Sequence, residues 1–116
     1  MTKAFVDASP KTACVVFEDG TRQRCEMVDL PGTSTSNQAE YKAVIYALIK
    51  AGELGIVLDE IFSDSQLIVR QLNREYAIRN KILLRFAQEI WKFVEGKNVR
   101  FTWIPREVNE AGRVLG

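Results

Sequence analysis

The stretch Ile56-Val57-Leu58-Asp59-Glu60-Ile61-Phe62-Ser63-Asp64-Ser65-Gln66-Leu67-Ile68-Val69-Arg70 decides the fold. Its first half, Ile56–Phe62, is rich in β-branched and aromatic residues and reads as a strand. After the polar joint Ser63-Asp64-Ser65, apolar residues return at helical spacing, so Ser65–Asn73 reads as a short helix. A strand that feeds straight into a helix is the repeating unit of an α/β sheet. Asp64 stands at the carboxyl end of that strand, where sheets of this kind bind their ligands.

Upstream, a helix is expected from about Asn37 to Ala51. Its apolar positions Ala43, Val44, Ala47, Leu48 and Ala51 follow the helical period, and Gly52 or Gly55 ends it. Before it, Thr2–Asp7 reads as a strand, and Thr12–Glu18 and Thr21–Met27 flank the hairpin signal Asp19-Gly20. Pro31–Ser36 is a polar loop. Downstream, Ile78–Val94 carries a helical face of Leu83, Phe86, Ala87, Ile90 and Val94, and Asn98–Ile104 is a strand stopped by Pro105. Asn109 reads as the N-cap of a final helix that has barely begun at Gly116. The early hairpins imply antiparallel pairs and the later alternation implies parallel crossovers. The expected architecture is α/β, a mixed five-stranded sheet with helices packed on it and a truncated C-terminal helix, in one domain over residues 1–116.

Composition narrows the chemistry. With 116 residues, 47% of them hydrophobic, the chain suits a single domain with a core of its own. No apolar run approaches the ~20 residues of a membrane span, and Met1–Asp7 lacks the apolar region of a secretory signal. A cytoplasmic protein is expected. The two cysteines, Cys14 and Cys25, are too few for a disulfide scaffold and are not spaced like zinc ligands. A two-residue turn at Asp19-Gly20 sets them opposite each other, so a cross-strand disulfide is conceivable, although two buried thiols in a reducing compartment is the preferred reading. Histidine is absent, which removes histidine bases, Ser-His-Asp triads and histidine metal sites. Hydrolytic chemistry would have to run on carboxylates.

The net charge of +1 conceals an asymmetry. Residues 1–69 hold 6 Lys/Arg against 10 Asp/Glu, whereas residues 70–106 hold 9 against 3. An acidic part suited to cations beside a basic part suited to phosphates is a layout a nuclease can use.

Three acids occupy informative positions: Asp7 ends the first strand, Glu40 lies in the first turn of the first helix, and Asp64 ends the fourth strand. Each has an ordinary use as well. Asp7 can form an Asx-turn, Glu40 can close a capping box with Asn37, and Asp64 can cap the helix after it. Glu40, however, shares a helical stripe with Val44 and Ala47 and so faces the sheet. Three carboxylates about 5 Å apart repel by ~3 kcal/mol per pair at an effective dielectric near 20. Hard oxygen ligands without histidine or cysteine suit Mg²⁺ or Mn²⁺.

Four segments, taken in order, resemble the type 1 ribonuclease H family: Phe5-Val6-Asp7-Ala8-Ser9, Thr35-Ser36-Asn37-Gln38-Ala39-Glu40-Tyr41, Phe62-Ser63-Asp64-Ser65-Gln66 and Trp103-Ile104-Pro105-Arg106-Glu107-Val108-Asn109. The resemblance implies an endonuclease that hydrolyses the RNA strand of RNA–DNA hybrids. It implies that Asp7, Glu40 and Asp64 are catalytic and hold two divalent ions, and that Asn37 and Gln66 read RNA 2′-hydroxyls while Thr35 contacts a phosphate. Arg79, Lys81 and Arg85 are further candidates for backbone contacts.

The family pattern also breaks. Its fourth acid falls four residues after the late Asn, where this chain has Arg113; Glu110 or Asn109 is the candidate substitute ligand. The turn after Asp7 is shortened to Ala8–Thr12, and the basic handle of some bacterial members has no room between Asp64 and Trp103. The alternative is therefore a catalytically weak module that binds hybrid or RNA, as a monomer or a homodimer. Transposase-like and exonuclease-like domains of the same broad fold use other acid spacings.

Overall fold

The computed structural model describes residues 1–32 and 34–115. Thr33, within the polar loop expected at 31–36, and Gly116, within the final helix expected from the sequence, lie outside the described residues. The strands are β1 (Lys3–Ala8), β2 (Thr12–Asp19), β3 (Arg22–Asp29), β4 (Glu60–Ser63) and β5 (Arg100–Trp103). They form one five-stranded sheet in the order β3-β2-β1-β4-β5. The β1–β2 and β2–β3 pairs are antiparallel, and β1–β4 and β4–β5 are parallel. This is the mixed sheet expected from the sequence.

Four helices pack on the sheet: α1 (Ser36–Leu54), α2 (Gln66–Leu72), α3 (Lys81–Val94) and α4 (Glu110–Leu115). The alternation along the strands sorts the two faces. Ala4 and Val6 of β1, Ala13, Val15 and Phe17 of β2, and Ile61 of β4 join the core with α1, α2 and α3. Cys14 and Val16 point the other way and are covered by Ala111 of α4. Each fully buried branched side chain contributes ~1.5–3 kcal/mol. Tyr41, fully buried, donates its hydroxyl to Gln71 Oε1 at 2.8 Å, tying α1 to α2.

The hairpin register departs from expectation by two residues. Asp19 pairs with Arg22 and Val16 with Cys25, so Cys14 lies opposite Met27 rather than Cys25. The two-residue loop is Gly20-Thr21, with Gly20 at φ 68°. This confines the left-handed conformation to the glycine at the first central position, whereas a loop of Asp19 and Gly20 would force Asp19 into it. A slip of two preserves the faces, which keeps the thiols diagonal neighbours; their sulfurs are 4.0 Å apart with no disulfide, and Cys25 is exposed rather than buried as expected, because it lies on the solvent side of β3.

Other boundaries moved for local reasons. Helix α1 starts earlier because Thr35 is the cap, and it runs on to a left-handed Gly55. The start of α3 is fixed by Asn80, whose side-chain Oδ1 accepts from Ile82 and Leu83 N–H. Residues 56–58 are a connector rather than strand, and β4 begins after Asp59, whose N–H bonds to the Thr2 carbonyl at 2.9 Å. A 3-10 turn at Arg106–Val108 precedes α4 and was not anticipated.

Candidate metal centre

Strands β1 and β4 are parallel neighbours, so their carboxyl ends deliver Asp7 and Asp64 to the same rim of the sheet. The first turns of α1 bring Glu40 to that rim. Carboxylate oxygens of Asp7, Glu40 and Asp64 all lie within 4.8 Å of one another. Asp7 and Glu40 are buried; Asp64 is partly exposed.

Each acid is held differently. The capping box of α1 uses Thr35 and Gln38, with the Gln38 N–H donating to Thr35 Oγ1 at 3.1 Å. That frees Glu40 from any capping duty. Its Oε1 accepts the Ala8 N–H at 2.8 Å, while the buried Oε2 has no hydrogen-bond partner. The helix α2 is capped by Ser65, which leaves Asp64 free to face the cluster. Asp64 Oδ2 accepts from Asn109 Nδ2 at 3.1 Å, and the Asp64 carbonyl accepts from the Trp103 indole at 3.1 Å.

The electrostatics follow from this crowding. Burial, then the charges of Asp7 and Asp64, push the Glu40 carboxyl up to about 9. Burial and Asp64 also raise Asp7, with Arg106 weakly opposing them. Without a cation the Glu40 carboxyl therefore keeps its proton at neutral pH. An unpaired, buried carboxylate oxygen beside two further acids is the coordination a hard divalent ion requires. The oxygen donor set of Asp7, Glu40 and Asp64 suits a hard divalent cation.

The candidates for a fourth ligand lie elsewhere. Asn109 is fully buried, but its Oδ1 caps α4 by accepting from Ala111 N–H at 3.1 Å, and its Nδ2 donates to the Val6 carbonyl at 2.9 Å as well as to Asp64. It pins α4 to β1 and orients Asp64, and its amide oxygen is engaged in capping the helix. Glu110 is not part of the acid cluster, and its Oε1 pairs with Arg113 at 3.4 Å. The Arg113 side chain is 70% exposed, turned to solvent.

Thr35, Asn37 and Gln66 are exposed at the first turns of α1 and α2, the two helices that begin at the acid cluster. Three further features escaped the sequence reading. The Ala8 N–H that holds Glu40 belongs to the backbone and leaves no mark in a side-chain pattern. Arg106 stands close enough to influence Asp7; the Pro105-Arg106 pair in the fourth matching segment was its signal. A Cβ on Gly112 would lie 3.1 Å from Asp7 Oδ2 and 4.0 Å from Asp64 Oδ2, so α4 passes directly against the acids.

The family model described as reverse transcriptase-like matches residues 5–115. The chain belongs to this ribonuclease H-type family. A ribonuclease HI of Halobacterium salinarum is 34% identical over 88 residues, covering 75% of this chain and 44% of that protein. A bifunctional protein of Mycobacterium tuberculosis is 29% identical over 79 residues, covering 67% of this chain and 22% of that protein. The chain thus matches less than half the length of these relatives. Among solved structures, the RNase H1 of Halobacterium salinarum superposes with a TM-score of 0.83 at 26% identity, covering 98% of this chain and 92% of that one. LC11-RNase H1, solved in complex with an RNA/DNA hybrid, gives a TM-score of 0.85 at 23% identity over the full length of both chains, a likeness of fold.

Proposed function

We propose that this chain is a metal-dependent endonuclease that hydrolyses the RNA strand of RNA–DNA hybrids. One observation carries the reading: Asp7, Glu40 and Asp64 converge with their oxygens within 4.8 Å, and Glu40 Oε2 is buried there without a partner. Family membership and the ribonucleases among the relatives support it.

Asp7, Glu40 and Asp64 would hold a pair of Mg²⁺ or Mn²⁺ ions. Such ions, when bound, lower the pKa of an attacking water and stabilise the leaving oxygen. The rest falls to the protein. The Ala8 N–H fixes the Glu40 carboxylate, and Asn109 fixes that of Asp64. Asn37 and Gln66, exposed at the first turns of α1 and α2, would read 2′-hydroxyls across a minor groove, the feature that separates RNA from DNA. The Thr35 oxygen is used in capping, yet its hydroxyl proton remains available to a phosphate.

A second reading, a module that binds hybrid with little catalysis, is favoured by Arg113: the cluster has three acids, and position 113 supplies a solvent-directed cation. A labelled hybrid incubated with Mg²⁺ or Mn²⁺, beside an Asp7→Asn control, separates the two. Metal-dependent cleavage of the RNA strand that disappears in the control is expected. Binding without cleavage selects the second reading, and cleavage of duplex DNA overturns hybrid specificity.

A further inference from the structure

The helix α2 ends in a Schellman turn: Glu75 N–H bonds to the Arg70 carbonyl at 2.8 Å, and Arg74 N–H to the Gln71 carbonyl at 3.0 Å. The residue at the left-handed position of this motif is usually glycine. Here it is Arg74, at φ 62°, the one non-glycine residue with positive φ among the described residues. Its guanidinium lies over Trp91, 3.9 Å from the ring centroid. The indole is itself anchored, donating Nε1–H to the Leu72 carbonyl at 3.0 Å.

Arg74 and Trp91 form part of the wall of a cleft of about 830 Å³ between the end of α2, one side of α3 and the edge strand β5. Arg85 and Lys92 of α3 line it too, together with Glu89 and Glu95. None of the three cations is in an ion pair with a described residue. A backbone conformation unfavourable to a side chain, retained to hold a planar cation on an aromatic floor beside two unpaired cations, is a feature to explain by function. Arg presents its planar donors to phosphate oxygens while stacked.

We propose that this cleft is a second nucleic-acid contact, gripping the phosphodiester backbone of the substrate away from the cut, with Arg74 as its fixed donor and Arg85 and Lys92 beside it. The proposal rests on the reading of the chain as a hybrid nuclease. The run from Asp64 along α2 to Arg74 is about 15 Å at the helical rise. That corresponds to four or five base pairs at ~3.4 Å each, so only a duplex extending that far from the cut can occupy both places.

The test compares cleavage of a hybrid of about 4 base pairs, too short to reach the cleft, with one of about 18. The variants are Arg74→Gly, Arg74→Lys and Arg85→Ala. Glycine suits the left-handed position, so Arg74→Gly removes the guanidinium without endangering the turn. For the long hybrid, Arg74→Gly and Arg85→Ala are each expected to raise KM about threefold or more at 0.2 M salt and to lower the slope of log affinity against log salt by about one. The short hybrid and kcat on either length stay as in the wild type, and Arg74→Lys recovers part of the loss. Equal KM values for wild type and Arg74→Gly on the long hybrid, with an unchanged salt slope, overturn the cleft while leaving the nuclease reading intact. A wild type that neither binds nor cleaves hybrid of either length overturns both.

Discussion

Glu40 concentrates the physical conflict in this molecule. One oxygen is satisfied by the Ala8 N–H, and the other faces two acids from inside the protein. Its carboxyl is pushed up to about 9 from an ordinary 4.5, burial being the largest cause. Between those pH values the metal-free native state holds a proton that the unfolded chain has released. Stability contributed by this group is therefore complete below about pH 4.5 and is lost as pH rises toward 9. Glu40→Gln removes the titration while keeping the shape. Thermal melts of the metal-free variant are expected to show a higher midpoint than the wild type at alkaline pH and a flatter pH dependence, while RNA cleavage falls to background. Full cleavage by Glu40→Gln would remove the site from consideration. Gly112 makes a second prediction at the same scale. A β-branched residue there would press into Asp7 and Asp64, so Gly112→Val is expected to weaken Mn²⁺ binding at least tenfold in calorimetry. Gly112→Ala, where the Asp7 carboxylate need give only slightly, should raise the melting midpoint through the gain in helix propensity of ~1 kcal/mol.

The elements show what a sequence discloses and what it withholds. Strand–helix alternation is written in periodicity, so the mixed sheet and the rim shared by Asp7 and Asp64 were legible. The helical stripe Glu40, Val44, Ala47 likewise gave the direction in which Glu40 points. Turn register was not legible in the same way, because Asp19-Gly20 and Gly20-Thr21 are both good hairpin loops; the choice falls to which residue must take positive φ. Gly20→Ala is accordingly expected to lose about 1–2 kcal/mol, read by urea unfolding, whereas an unchanged midpoint would contradict the observed loop. Capping partners were also ambiguous, since Thr35/Gln38 and Asn37/Glu40 both fit the box pattern, and only the choice of Thr35 leaves Glu40 free for a metal. Asn109 was legible as a cap but not as a brace. Its bonds to Val6 and Asp64 span 103 and 45 residues of sequence, distances at which no local pattern operates. Asn109→Ala is expected to lower the melting midpoint, by loss of the cap and of a buried hydrogen bond worth about 1 kcal/mol each, and to lower cleavage through a mobile Asp64.

At the scale of the whole molecule, three carboxyl groups are gathered at one rim of the sheet, and the cost of ionising them together couples metal binding to folding. An ion that binds only the native state stabilises it by about 2.7 kcal/mol at a hundred times its dissociation constant. For a domain of this size that is a rise of roughly 10 °C in melting midpoint. The rise must depend on pH, because the ion has to displace the proton on Glu40. Each unit of pH below about 9 should weaken metal binding by roughly tenfold. A fixed concentration of Mg²⁺ or Mn²⁺ is therefore expected to raise the melting midpoint strongly near pH 9 and little near pH 6. The same comparison on Glu40→Gln should show a small effect at both. A metal-induced shift of equal size at pH 6 and pH 9 in the wild type would mean that the ion enters somewhere other than the pocket of Asp7, Glu40 and Asp64, and the chemistry argued from that pocket would have to be sought at the other place.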